Sequence, residues 1–549
     1  NLIFSGTSTV KTITGVSING ILSLEATATV NTAPTYGANA TLRYNTSTAR
    51  TAGSEWVTPF TGTGGVIIDN IGTITMDNAK VFNTGVPLTI TDLATLATAN
   101  FSLTLGGNYA NDFGTMTAGS SPIIITGTGD QNLSGFTTTG TVSMTKTGGT
   151  AFLLGDMTAG ALTMNGSGGT LHLGAGSVHT ISGTWTRTDG TLNGGGSTIR
   201  FGAGYSGSGG AFDANVGAVE WNAAGAQTIA PLTYHDLILS GSGAKTMTGV
   251  SSITGDFTMA GSATATPSTT LTVTGLTTLS GTSQLILGAA NILSNSGAIV
   301  MDGGTFKTGA TTGNNETVGT LKLTNTSTIT LGTGSHSLNF SASNAVPWTA
   351  GKVLTITGWT GGYDGTSGTA GKIFIGTNAS ALTAAQLAQI RFYNGTTYFA
   401  ATLLSSGELV PLATVNYYNR IAGSTNLNAI ATWTSDITLA TVVSPANFTA
   451  DNQIFNVVNL PSPATTGNWT VSGTNSKIIV GNGVTAINAV VANVLTAPVD
   501  VLANATLSLG NATTSGVTFG TLAPTSTVDY NRAGAQTAVV ASYGNLTLS

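Results

Sequence analysis

The sequence predicts an all-β chain folded as a parallel β-helix (β-solenoid), and three observations carry that prediction. Charged residues make up only 7% of 549 residues while 40% are apolar, so the chain can bury a core and must cover it with Thr, Ser and Asn. Short pieces of alternating apolar and Thr/Ser character recur every eight to twelve residues or so, bounded by Gly, Asn or Asp. Long stretches also echo one another: residues 219–240 and 528–549 align without a gap and share 11 of 22 positions. The echoes are local and tolerate slippage, which is how stacked coils behave, each touching only its neighbours. Tandem β-sandwich domains are the alternative, but those repeat as whole units of about 100 residues.

Residues 1–345 read as one solenoid repeat region. Residues 1–20 resemble 236–255 with one residue inserted, and 129–168 form a diverged echo of 225–263. Strand pieces are plain at "TLTVTG" (270–275), "QLILG" (284–288), "AIVMDGG" (298–304), "TLKLTN" (320–325), "TITLGTG" (328–334) and "SLNFSAS" (337–343). A coil of about 20 residues buries some five apolar side chains at about 1.5–3 kcal/mol each, against about 1–2 kcal/mol per residue of backbone entropy. No coil stands alone, so stacking must supply the rest.

Residues 346–412 are richer in aromatics and read as a joining or capping module, with a ligand-binding insertion as the alternative. The pattern predicts one helix at "ALTAAQLAQI" (381–390), with Leu382, Ala385, Leu387 and Ile390 as its apolar stripe and entry from Asn378 or Ser380. Residues 413–549 return to low-complexity β sequence from "NYYNRIAGSTNLNAIATWTSD" (416–436) onward and form a second, truncated solenoid region. The repeats predict a window cut from a longer protein. Asn1 falls inside one copy and Ser549 inside another, where a stretch like residues 241–249 is expected to follow. Any export signal is expected outside this chain.

The stretches "TYGANATLRYNTSTARTAGSEW" (35–56) and "LTAAQLAQIRFYNG" (382–395), with the blocks around "GAQT" and "GSGAKTMTG", resemble the giant repetitive surface adhesins of Bacteroidetes exported by the type IX secretion system, gliding-motility adhesins included. The resemblance implies a structural and adhesive segment of an extracellular cell-surface protein or filament. Its implied partners are further repeats of the same chain, anchoring or secretion machinery, and surface glycans.

Active-site chemistry is hard to find. A net charge of −5 with scattered Lys and Arg gives no field for nucleic acid. No apolar run approaches the roughly 20 residues of a membrane helix. The absence of Cys excludes disulfides and thiolate metal sites. The glutamates Glu25, Glu55, Glu220, Glu316 and Glu408 are far apart, and Asp130, Asp156, Asp256 and Asp302 read as turn residues beside Gly. His172, His179, His235 and His336 show no metal-ligand spacing. His235, Asp236 and Ser240 suggest a triad, but no nucleophile elbow accompanies them, and the matching copy reads Gly544 and Asn545. Trp185, Trp221, Trp348, Trp359, Trp433 and Trp469 are expected to pack inside, with stacking on sugar rings as the other use. The expectation is a non-enzyme with no catalytic, cofactor or metal residues; the alternative is a polysaccharide-binding or polysaccharide-degrading β-helix.

Overall fold

A computed structural model describes residues 1–6, 10–420 and 426–549. Residues 7–9, within the first echo, and 421–425, within the restart at 416–436, lie outside the described residues. The chain is a parallel β-solenoid of about 26 turns, 46% strand and 1% helix. Parallel stacking decides against sandwiches, whose sheets are antiparallel. Two compact units divide it: Asn1–Ile286 with Ile292–Gly297, and Leu287–Asn291 with Ala298–Ser549.

In the first unit, inward residues of the strands stack on counterparts one coil away. Leu22, Leu42, Val66, Leu88, Tyr109, Leu133 and Leu153 form one such ladder. Leu103, Ile123, Val142, Leu162 and Trp185 form another. Ile199, Val219, Leu237 and Phe257 form a third. The cause is local: strands such as Thr141–Met144 bury every second residue, so β-branched Thr faces out while Val and Met fill the core. Corners need residues without a side chain. Gly241, Gly261 and Gly281 adopt φ near +65°, and a Cβ on Gly261 or Gly281 would meet the carbonyl of the glycine beneath at 2.5 or 2.7 Å.

The repeated "GAQT" has a physical meaning. Gln227 donates from Nε2 to the carbonyls of Phe201 and Ala203, at 2.7 and 2.8 Å, in the coil before it. Its Oε1 accepts from the Ala223 amide and from Lys245 of the next coil, both at 3.1 Å. Gln131 holds the Leu105 and Gly107 carbonyls in the same way and accepts from Lys146 at 2.9 Å. In the second unit Gln536 does so with Leu509, Asn511 and the Arg532 amide. Tyr234 donates to Ala230, and its counterpart Tyr543 donates to the matching Val539. The shared letters therefore encode one shared set of hydrogen bonds, a clamp that gives the corner carbonyls of Gly107, Ala203 and Asn511 a donor and adds a second bond to those of Leu105, Phe201 and Leu509, which also accept backbone amides.

The second unit begins with the same parallel stacking: Ser327–Thr330 on Leu354–Thr357, and that on Ile390–Tyr393. Here the polarity breaks. Ile390–Tyr393, Tyr398–Leu403 and Glu408–Asn419 pair antiparallel in sequence, after which Glu408–Asn419 takes up Gln453–Val457 in parallel again. The helix is shorter than the sequence suggests, Ala384–Leu387 only, and it starts from Thr383 instead of Asn378 or Ser380. Thr383 and Gln386 form a reciprocal capping box, which fixes the start. Ile390 is drawn into strand pairing with Leu354, which ends it. Asn378 instead closes a tight turn onto Ser380.

Candidate functional site

The acids singled out from the sequence are used on structure. Glu55 is buried and accepts from Tyr44 and the Gly53 amide, both at 3.0 Å. Glu220 binds Arg200 at 2.7 Å and Ser240 at 2.6 Å. Glu408 takes Ser367 and the Gly368 amide, and Glu316, fully buried, takes the Thr317 amide. Glu25 ends the strand Ile21–Glu25, half-buried and opposite Asn45. The turn aspartates brace coils: Asp130, Asp156 and Asp256 each accept an amide of the following coil at 2.8 Å, and Asp302 accepts from Thr324 at 2.8 Å. No group of three or more His, Asp or Glu suited to a metal occurs among the described residues.

His235 lies 3.1 Å from Asp236, but Ser240 gives its proton to Glu220, so the three residues do not form a relay. His172 packs at a tilt against Phe152, and buried His336 bridges Thr308 and the Gly334 carbonyl. His179 is fully buried. Its Nδ1 accepts from the Met157 amide at 3.1 Å, so its Nε2 must donate to the Leu173 carbonyl at 2.8 Å. Burial holds its pKa below the ordinary value. The unfolded chain therefore takes up the proton first as pH falls, and this histidine's contribution to stability, full above about pH 6.5, is lost as pH drops through the lower folded pKa. Urea titrations between pH 7.5 and 5 are expected to show a falling midpoint that flattens in His179→Gln, once that variant's lower baseline is subtracted.

Trp185, Trp221, Trp433 and Trp469 are buried and stack with neighbouring rings; Trp185 and Phe201, for example, lie 5.0 Å apart. Trp359 is buried against Phe392, and Trp348 is half-buried with its Nε1 on the Leu321 carbonyl. Packing, not an exposed platform, is their role.

Two arrangements went unread in the sequence. At one corner of the first unit, Asp69, Asp92 and Asp112 occur on successive coils, with Ile71, Leu93 and Phe113 beside them. All three apolar residues have positive φ (46°, 61° and 60°), and all are exposed, Phe113 by 82%. That backbone region is costly for bulky side chains. Burial pushes the Asp69 carboxyl up, but hydrogen bonds from Arg43 and Asp92 outweigh it and hold Asp69 low; the bond to Asp69 and its charge push Asp92 up. The signal was an Asp one or two residues before an apolar residue and then a small one, as in "DNIG", "DLA" and "DFG".

The second arrangement is a groove of about 700 Å³ in the second unit. The helix positions it. Gln386 Nε2 bonds the Ser343 and Val346 carbonyls, and Gln389 Nε2 those of Thr349 and Lys352. This fastens residues 343–352 alongside the strand Ile390–Tyr393. Arg391 lines the groove and is only 5% exposed. Its Nη2 donates to Tyr418 Oη at 2.7 Å and its Nη1 to the Ile390 carbonyl at 2.6 Å. Its Nε has no partner among the described residues, nor does any ion pair there include it. Lys352, Tyr418, Asn456, Asn459 and Asn482 line the same groove, with Val458, Ile479 and Leu502 between them. Asp436, adjacent in sequence to the lining residues Ile437 and Thr438, is already saturated by Thr438 and Thr441. Burial pushes its carboxyl up, but these bonds prevail and keep it ionised to lower pH than usual.

Comparison with protein-family models, curated proteins and solved structures finds no match to this chain. What the geometry defines is a β-solenoid with a groove lined by a buried arginine that has no ion pair among the described residues.

Proposed function

We propose that the chain is a structural and adhesive repeat segment of a large extracellular cell-surface adhesin or filament, projecting from the cell and mediating surface attachment, including attachment during gliding. The observation that supports this reading best is the coil-to-coil spending of polar side chains. Gln131, Gln227, Gln536, Asp130, Asp156 and Asp256 each bind a neighbouring coil. Such an array lengthens by adding coils, and an uncharged Thr/Asn surface makes many weak contacts that gain strength by avidity. Its partners in this reading are further coils of the same protein, anchoring or secretion machinery, and surface glycans.

A deletion strain scored for whole-cell attachment, together with a glycan array on the isolated segment, tests the reading. Loss of attachment supports it, and unchanged attachment rejects it. The corner of Asp69, Asp92 and Asp112 favours a second reading, a polysaccharide-active β-helix. There the bond to Asp69 and its charge push the Asp92 carboxyl up while Asp69 is held low, the polarity of a carboxylate dyad that divides acid and base roles. Release of reducing ends from the arrayed polysaccharides, abolished in Asp92→Asn, would transfer the function to that corner.

A further inference from the structure

We infer that the groove at Arg391 binds a carboxylate-bearing sugar, a uronate. The inference is independent of the adhesive reading: the isolated chain can bind such a ligand whether or not cell attachment depends on it.

A guanidinium removed from water is costly unless it is paired. Arg391 is 5% exposed, yet its two bonds go to neutral oxygens, those of Ile390 and Tyr418, and its charge meets no carboxylate among the described residues. The free Nε–H lies on the guanidinium edge that pairs with planar carboxylates. Tyr418 Oη accepts from Arg391, so its own proton is left for an acceptor in the groove. Lys352 adds a second cation to the lining. All three residues line the one groove, and their donors suit a monoanionic planar group.

The rest of the groove suits a polyhydroxylated ring. The Thr438 hydroxyl proton goes to Asp436, but its oxygen and the Asn459 and Asn482 amides keep capacity beyond their internal bonds for sugar hydroxyls, while Ile479 and Leu502 offer apolar surface for a C–H face. Its volume of about 700 Å³ falls within the usual range for small-ligand sites. A bare tetrahedral anion would use the cation and leave the amides and apolar wall idle.

Calorimetric titration of the full chain with glucuronate, glucose and inorganic sulfate tests the assignment. Saturable glucuronate binding, at least about tenfold tighter than glucose or sulfate, is expected from one buried charged contact. Arg391→Lys keeps the charge but not the fork and should weaken glucuronate about tenfold or more. Lys352→Ser, at a half-buried position whose side chain has no partner among the described residues, should weaken it by about threefold while leaving the melting temperature unchanged. Equal affinity for glucuronate and glucose overturns the inference. So does sulfate binding as tightly as glucuronate, or glucuronate affinity unchanged in both variants. If Arg391→Lys fails to fold, the Lys352→Ser result and the ligand comparison decide between the same outcomes.

Discussion

Leu323→Asp is expected to open its own coil and leave distant coils folded. Leu323 is completely buried and stacks on Met301, so the new carboxylate would lie in the core with no cation to meet it. The expected local cost is about 4 kcal/mol or more, at the extreme end of single-substitution effects. Because each coil is held by its immediate neighbours, the loss should stay near residues 299–330 instead of melting the chain. Limited proteolysis read by mass spectrometry should place new cuts there, and hydrogen exchange should show unchanged protection around Leu42 and Val66. A single cooperative transition spanning all 549 residues would contradict a nearest-neighbour array.

Gln227→Leu is expected to cost nearly as much without adding any charge. It strands the Ala203 carbonyl and the Ala223 amide, and removes one of two bonds to the Phe201 carbonyl and one bond of Lys245. At about 1–3 kcal/mol for each buried unsatisfied group, offset by the apolar replacement, the net loss is about 3 kcal/mol. Adding Lys245→Met should recover part of this, a coupling of about 1–2 kcal/mol, because the pair fails together. Denaturant titration of the two single variants and the double variant measures it; strict additivity would show that the clamp is not one unit. A pH signature accompanies it. Burial lowers the Lys245 pKa to about 8. Between pH 8 and about 10 the unfolded chain holds the proton more tightly, so this group's contribution rises with pH and is lost as pH falls through 8. That rising slope should vanish in Lys245→Met.

How far the sequence disclosed this molecule depends on how local each signal is. "TLKLTN" shows its period of two, and the strand Leu321–Asn325 follows it with Leu321 and Leu323 inside. The repeat of "GAQT" was visible as identity, but its purpose was not, since the partners of Gln227 lie 24 and 26 residues earlier. The helix was legible in kind but not in extent. An apolar stripe through Ile390 counts residues without showing that Ile390 is needed by a strand at Leu354. The groove was opaque for the same reason. Arg391 is one scattered cation in the sequence, and only the chain path through Lys352, Tyr418 and Asn456 makes it a site. The corner aspartates drew no notice in the sequence, because only stacking puts Asp92 against Asp69.

The clamp also bears on how a low-complexity chain finds one pairing among many. Thr, Ser, Val and Leu are nearly interchangeable along these strands, so hydrophobic burial alone barely distinguishes a correct stack from one displaced by a whole coil or slipped at a corner. Lys146 and Lys245 are not interchangeable with their neighbours. Each ammonium donates to a particular glutamine, 15 or 18 residues earlier, and to a corner carbonyl of the same coil, Gly129 or Ala223. A misthreaded coil would leave a bare charge inside, and the chain would reopen there before the next coil could be laid down. The sparse lysines thus act as a proofreading mark, checking the count of residues per turn where the rest of the sequence keeps no tally.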